Sequence, residues 1–214
     1  IRSEDIFIET LKTAIKCAEG GRLVTLGIKP SRPETGYGYI KVRSQKSEVR
    51  SKGYFKVEEF TEKPDIETAR RYLEDGNYLW NSGIFVWKTS SIISEIKKYM
   101  PLLYKGLSKI EKAIGTKKEK AVIEKVYSNL ESISIDYGVL EKSKNVMVVP
   151  ADFGWSDVGS WAALDEVLPH DTHGNIIKGN VIDIGSKNSI VFGSERLVAT
   201  IGLKDMVVVD TPDA

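Results

Sequence analysis

The sequence predicts an α/β fold: an open mixed sheet, mainly parallel, followed by a small C-terminal all-β extension. Three observations lead there. Strand-like and helix-like patterns alternate up to about residue 168, the arrangement that builds a sheet covered by helices. After Pro169 the texture changes to short β-rich runs punctuated by Gly, Asn and Ser, with no helical period. A chain of 214 residues, 41% hydrophobic and 29% charged, is long enough for one substantial core and a small second unit. The expected division is 1–169 and 170–214.

Taken in order, Phe7, Leu11, Ala14, Ile15 and Ala18 share one face of an opening helix that Gly20-Gly21 stops. "RLVTLGI" reads as a buried strand, "KPSRPETG" as a loop, and "YGYIKVRS" as a second strand. "YFKVEEFTE" alternates as a strand and ends at Lys63-Pro64. Asp65 is placed to cap the helix "IETARRYLEDG", with Ala69, Tyr72 and Leu73 on one side and Gly76 as its stop. "YLWNSGIFVWK" is the next strand. A helix carrying Ile92, Ile93 and Ile96 follows, Pro101 interrupts it, and a lysine-rich helical stretch runs to about Leu130. "SIDYGVLEKS" reads as a short helix entered through Asp136, "NVMVVP" as a strand, and "DFGWSDVGSW" as a tight turn leading into the helix "AALDEVL".

The charge balance, 31 basic against 30 acidic residues, gives no electrostatic case for nucleic-acid or membrane-surface binding. Lys117, Lys118 and Lys120 read as a solvated helix face. The single cysteine, Cys17, has no internal disulfide partner and suits a reducing compartment. No apolar run approaches the roughly 20 residues that span a bilayer, and no signal peptide opens the chain, so a cytoplasmic location is expected. Ile1 stands directly ahead of a helix and "VVVDTPDA" follows a strand, so both ends read as cuts within a longer protein.

Four islands carry chemistry: "PETGYGYI", "FTEKPD", "WNSGIFVW" and "WSDVGSW". Ligands of open α/β sheets gather beyond the carboxyl ends of strands, which would bring these islands to one cleft. Gly36 and Gly38 allow close backbone approach to a ligand, or mark a bulge at the start of a strand. Pro64 should hold Lys63 extended. Lys63 could neutralise a phosphate and Glu62 accept from sugar hydroxyls, or the two could be a surface acid–base pair. Asn81 offers a carbonyl and two N–H donors for reading hydroxyls, and Gly83 either leaves room for a ring or makes a bulge. Asp157, between Trp155 and Trp161, suits Mg²⁺, which takes one or two carboxylates plus phosphate oxygens. A helix cap or a self-bonded turn Asp is the competing reading.

Two resemblances mislead. "EGGRLVTLG" leads from helix to strand, whereas a phosphate cradle leads from strand to helix, so its glycines are a helix stop. His170 and His173 lack the companions of a zinc set.

In this order, "LVTLGIKPSRPETGYGYI", "VEEFTEKPDIETARRYLEDGNYLWNSGIFVWK", "SIDYGVLEKS" and "FGWSDVGSWAAL" resemble the bacterial mannose-1-phosphate guanylyltransferases (GDP-mannose pyrophosphorylases), of the kind often fused to a mannose-6-phosphate isomerase domain. The tail from Gly179 is similar to that family's β extension, so the resemblance covers essentially the whole chain. It implies a Rossmann-like, nucleotide-sugar nucleotidyltransferase sheet and the joining of mannose 1-phosphate to GTP, giving GDP-mannose and pyrophosphate. It further implies Mg²⁺ held by Asp157, the sugar phosphate held by Lys63, and mannose hydroxyls read by Glu62 and Asn81 with the Gly38 backbone close by. A homodimer is a possible assembly. The family's Gly-rich nucleotide loop and its upstream metal-binding Asp have no counterpart in these 214 residues, so the chain by itself is expected to be inactive. Two alternatives stay open: a pyrophosphorylase for another sugar, such as glucose 1-phosphate with a pyrimidine nucleotide, and a non-catalytic sugar-phosphate-binding domain.

Overall fold

Residues 1–42, 53–159 and 161–214 are described by the computed structural model, and they divide into two units, Ile1–Trp155 and Ser156–Ala214. The first begins with helix α1 (Glu4–Glu19), which has Glu4 and Asp5 in its first turn and Lys16 in its last, matching the helix dipole at both ends. Its buried edge is Ala14, Cys17 and Ala18, whereas Ile15, expected on that face, is 52% exposed. The sheet meets the 14/17/18 edge of the helix, and Ile15 lies one position around from it. The N–H groups of Gly20 and Gly21 bond back to the Cys17 and Ala18 carbonyls, which completes the helix stop.

Five strands follow: β1 (Leu23–Ile28), β2 (Tyr39–Val42), β3 (Phe55–Thr61), β4 (Tyr78–Val86) and β5 (Val146–Ala151). The last two positions of the second predicted strand, Arg43 and Ser44, lie outside the described residues. The strand order is β1-β4-β2-β3-β5, with β5 returning to β1. Within this sheet, among the described residues, only β1–β5 is a parallel pair, and the other four pairs are antiparallel. The expected open, mainly parallel sheet is thus corrected to a mixed one that closes on itself. The alternation of helices and strands says nothing of direction. Helix α2 (Ile66–Asp75) carries the chain across β2, so β3 and β4 run the same way on either side of it.

Asp65 caps α2 by accepting the Thr68 N–H at 2.7 Å, and Gly76 ends it in the left-handed conformation at φ 71°. Helices α3 (Thr89–Tyr99) and α4 (Pro101–Glu111) meet at Met100, α5 (Glu119–Tyr127) follows, and a π-helical turn spans Asp136–Leu140. The sheet separates two cores. Leu23, Ile40, Val57, Phe60, Leu79 and Val148 pack with Ile92, Ile96 and the π turn on one face. Val24, Leu26 and Val149 pack with α1 and Phe153 on the other. Strand β1 is buried on both faces, and each large apolar side chain so buried contributes about 1.5–3 kcal/mol.

In the second unit the helix expected at "AALDEVL" is a short 3-10 turn, Trp161–Glu166. A run this brief just before Pro169 favours the tighter i→i+3 bonding. Strands β6 (Ile176–Lys178), β8 (Ile190–Phe192) and β10 (Val207–Val209) form one sheet, and β7 (Val181–Ile184) pairs with β9 (Val198–Ile201) in another. Every pairing is parallel, as in stacked coils of a β-helix.

Candidate active site

The first unit builds a polar row out of the register of three strands. Leu79, Ile40 and Phe60 pair across β4, β2 and β3 and sink into the core. One residue on, Trp80, Tyr39 and Thr61 pair and point to the other face. One residue further come Asn81, Gly38 and Glu62, back on the first face, with the Asn81 N–H bonded to the Gly38 carbonyl at 2.8 Å. Gly38 is the gap in the middle. A Cβ there would lie 2.4 Å from Glu62 Oε2 and 3.2 Å from Asn81 Cβ, so the two side chains lean over a bare α-carbon. The strand-end rule for parallel sheets does not describe this site. Gly38 precedes β2, Asn81 is inside β4, and only Glu62 stands at a carboxyl end.

Asn81 is buried, and its amide is fully engaged on one side. Its Oδ1 accepts from the Thr25 hydroxyl at 2.8 Å and from the Gly83 N–H at 3.2 Å, while its Nδ2 donates to Asp136 Oδ1 at 3.2 Å. The register of β1 against β4 jumps from Thr25↔Phe85 to Gly27↔Asn81, so Ser82, Gly83 and Ile84 bulge. Gly83 sits at φ 72°, and Ser82 Oγ accepts the Ile84 N–H. The glycine in "WNSG" is therefore a backbone requirement of the bulge.

Glu62 is half-buried, and its Oε2 is shielded from solvent with no hydrogen-bond partner among the described residues. Burial pushes its carboxyl up to about 7; Asp136 and Glu141 add repulsion and Lys63 opposes it. Burial also raises Asp136, held back by hydrogen bonds from its own backbone, Ser134 and Asn81, and by Lys63. Lys63 is exposed and has φ 46°, so the extended geometry expected ahead of Pro64 is corrected to a left-handed turn. That turn lets strand β3 give way to the capped helix α2 immediately after Glu62. The π turn and the residue after it hold the strand end: Glu141 Oε1 accepts the Glu62 N–H at 3.0 Å, and the Tyr137 hydroxyl donates to the Glu62 carbonyl at 3.4 Å.

Gly38, Glu62, Lys63 and Asn81 thus come together in the first unit. A cleft of about 580 Å³ lined by residues 55–60 and 140–144 shares Glu141 with them but holds no part of the row. Asp157 belongs to the second unit. Its carboxylate is exposed and folds over Gly159, where a Cβ would lie 2.6 Å from Oδ2. The neighbouring Val158, a β-branched residue, is strained at φ 51°. Among the described residues no group of three or more His, Cys, Asp or Glu is arranged to hold a metal ion. A divalent cation shared with phosphate oxygens and water takes one or two carboxylates from a protein, and Asp157 could supply one.

The profile of the nucleotidyl transferase family matches residues 2–174. The chain belongs to that family. A second profile, a mannose-phosphate isomerase/GMP-like β-helix domain, matches residues 179–214 of this chain. It is 41% identical to a mannose-1-phosphate guanylyltransferase of Escherichia coli K12 and 42% identical to the xanthan biosynthesis protein XanB of Xanthomonas campestris pv. campestris B100. Both alignments cover 100% of this chain but only 45% and 44% of the relatives, so the chain spans under half of their length. Its fold superimposes with a TM-score of 0.81 on a crystal structure of a mannose-1-phosphate geranyltransferase from Thermus thermophilus, at 33% identity over 98% of this chain and 59% of that one.

Sequence reasoning missed Thr25, Asp136, Tyr137 and Glu141 as neighbours of this polar row. Asp136 read as a helix opening, and a polar Thr25 inside an otherwise apolar buried strand was the available signal. No helix of the described residues is long and apolar enough to cross a membrane.

Proposed function

We propose that, within its full-length protein, this chain builds the sugar-phosphate side of a mannose-1-phosphate guanylyltransferase, which makes GDP-mannose and pyrophosphate from mannose 1-phosphate and GTP. The observation that carries this reading is the unpartnered Glu62 Oε2 leaning over Gly38 beside the Asn81 amide. A shielded carboxylate oxygen without a partner demands a donor. A sugar hydroxyl is a neutral one that adds no charge beside Asp136 and Glu141.

In this reading Glu62 accepts from a mannose hydroxyl, Asn81 bonds another, and the bare Gly38 lets the ring approach the backbone. Lys63 neutralises the sugar phosphate from its exposed turn. A phosphate oxygen of mannose 1-phosphate forms a bond to the α-phosphorus of GTP as the bond to pyrophosphate breaks. Because both reactants are anions, the residues act by charge and placement more than by moving protons. Asp157 would hold the Mg²⁺, which when bound supplies charge neutralisation between the phosphates. The similarity to the E. coli and Xanthomonas proteins supports the choice of mannose and guanosine.

The division into a sugar-phosphate part, 1–169, and a β-rich extension, 170–214, draws support from the two family matches, which meet between residues 174 and 179. A GTP-consuming reaction and a lone buried thiol at Cys17 fit the cytoplasm. The test is pyrophosphate release by the full-length gene product with Mg²⁺, offered GTP with mannose 1-phosphate and UTP or dTTP with glucose 1-phosphate. A preference of about a hundredfold or more for the mannose–GTP pair is expected. Preference for a pyrimidine nucleotide, or turnover of no pair, would overturn the proposal.

A further inference from the structure

We propose that Asp136 is a positioning residue for the sugar site, locking the Asn81 amide so that it meets the sugar as a hydrogen-bond donor and never as an acceptor. The inference rests on the proposed sugar-phosphate role of the row and goes one step deeper. Two of the neighbours of Asn81 have only one possible polarity. The Gly83 backbone N–H can only donate, and it faces Oδ1 at 3.2 Å. The Asp136 carboxylate, when ionised, can only accept, and it faces Nδ2 at 3.2 Å. Turning the amide over would set N–H against N–H and oxygen against oxygen, so one orientation wins. The Thr25 hydroxyl then takes the second lone pair of Oδ1 at 2.8 Å.

The oxygen of Asn81 is spent, and one N–H remains. The readers over Gly38 are therefore complementary: Asn81 gives a hydrogen bond to a hydroxyl oxygen, and Glu62 takes one from a hydroxyl proton. The same π turn and the residue after it hold the Glu62 backbone through Tyr137 and Glu141, so one short element aims both readers. Its charged groups facing Glu62 are Asp136 and Glu141, with Lys63 opposing them.

The test uses the full-length gene product with Asp136→Ala and Asp136→Asn. Alanine removes the acceptor, and KM for the sugar 1-phosphate should rise about tenfold, the worth of one hydrogen bond, while KM for GTP and kcat stay within about twofold. Asparagine keeps an acceptor oxygen but no charge. Its KM should stay within about twofold, and the acid limb of kcat/KM should move to lower pH because Glu62 ionises more easily. The side-chain NH₂ resonances of Asn81 should show slow exchange with solvent in the parent, and faster exchange with a changed chemical shift in the alanine variant, which lacks the Asp136 acceptor. Unchanged sugar KM or unchanged Asn81 resonances in Asp136→Ala would overturn the lock. So would an equal rise in both KM values with matching loss of Tm in both variants. The resonances report the lock whichever sugar is used, so an enzyme that prefers another sugar phosphate refutes the proposed function alone.

Discussion

Replacing Glu62 by glutamine removes a charge for which the unliganded fold has no partner, and the consequence is a gain of stability at alkaline pH. The carboxyl ordinarily titrates at 4.5 and here is pushed to about 7. A raised acid pKa means the folded state keeps a proton that the unfolded state has released, so stability is full below pH 4.5 and is lost as pH rises to 7. At about 1.4 kcal/mol per unit the whole shift would amount to about 3 kcal/mol. Glu62 is only half-buried, and solvent screening reduces this to about 1–2 kcal/mol. Glutamine does not titrate, so the variant should escape that loss. The assay is thermal unfolding of both proteins at pH 5 and pH 8, read as the difference between them so that other titrations cancel. The Tm difference in favour of Glu62→Gln should grow by about 3–6 °C from the acid to the alkaline condition. Turnover should fall, since a neutral amide oxygen accepts a hydroxyl proton more weakly than a carboxylate does. A Tm difference that stays constant with pH would show that Glu62 is ordinarily solvated and would remove the case for a waiting acceptor.

Asn81→Ala strands the Thr25 hydroxyl, the Gly83 N–H and Asp136, and should cost about 2–3 kcal/mol of stability together with a rise of about tenfold in KM for the sugar phosphate; an unaltered sugar KM would count against its role. Gly83→Ala forces a side chain into φ 72°, where open space does not relieve the backbone, so about 1–2 kcal/mol of stability should go in urea unfolding with sugar KM unchanged. A sugar KM that rose instead would restore the view that Gly83 makes room for a ring. Asp157→Ala in the full-length protein, with Mg²⁺ as the only metal, should abolish pyrophosphate release, and near-parental rates would refute its assignment as the cation ligand.

The parts of the fold legible in the sequence are those governed by neighbours along the chain. The Asp65 cap and the Gly76 stop bracket α2 because capping is settled within a turn, and Gly20-Gly21 stops α1 for the same reason. The apolar partners Leu79, Ile40 and Phe60 are visible as core residues, but their alignment is not, because nothing local says that β4 lies between β1 and β2. Glycine and amide in "WNSG" mark an exception to strand packing, yet a bulge and a ligand contact leave the same trace. Only the register jump between Thr25 and Gly27 identifies the bulge. Asp136 was least visible of all, since it acts on a residue 55 positions away.

Departures from local rules gather around this row: a left-handed lysine, a glycine gap, a bulged strand and an unpartnered carboxylate. Each costs stability alone, and a fold tolerates such a cluster when surrounding structure over-determines it. Here the π turn is that surrounding structure, with Asp136 touching the Asn81 side chain and Tyr137 the Glu62 backbone. The same logic explains why Glu62 is crowded by Asp136 and Glu141 instead of being paired with an arginine. A cation bonded to Oε2 would satisfy the carboxylate permanently and leave the proposed sugar ligand nothing to complete. Acidic neighbours keep it unsatisfied, and Lys63, one residue along the chain, opposes their charge while its exposed ammonium stays open to a phosphate. Under the proposed function the sugar repairs a defect built into the free protein, so affinity at this site should weaken in any variant that repairs the defect in advance.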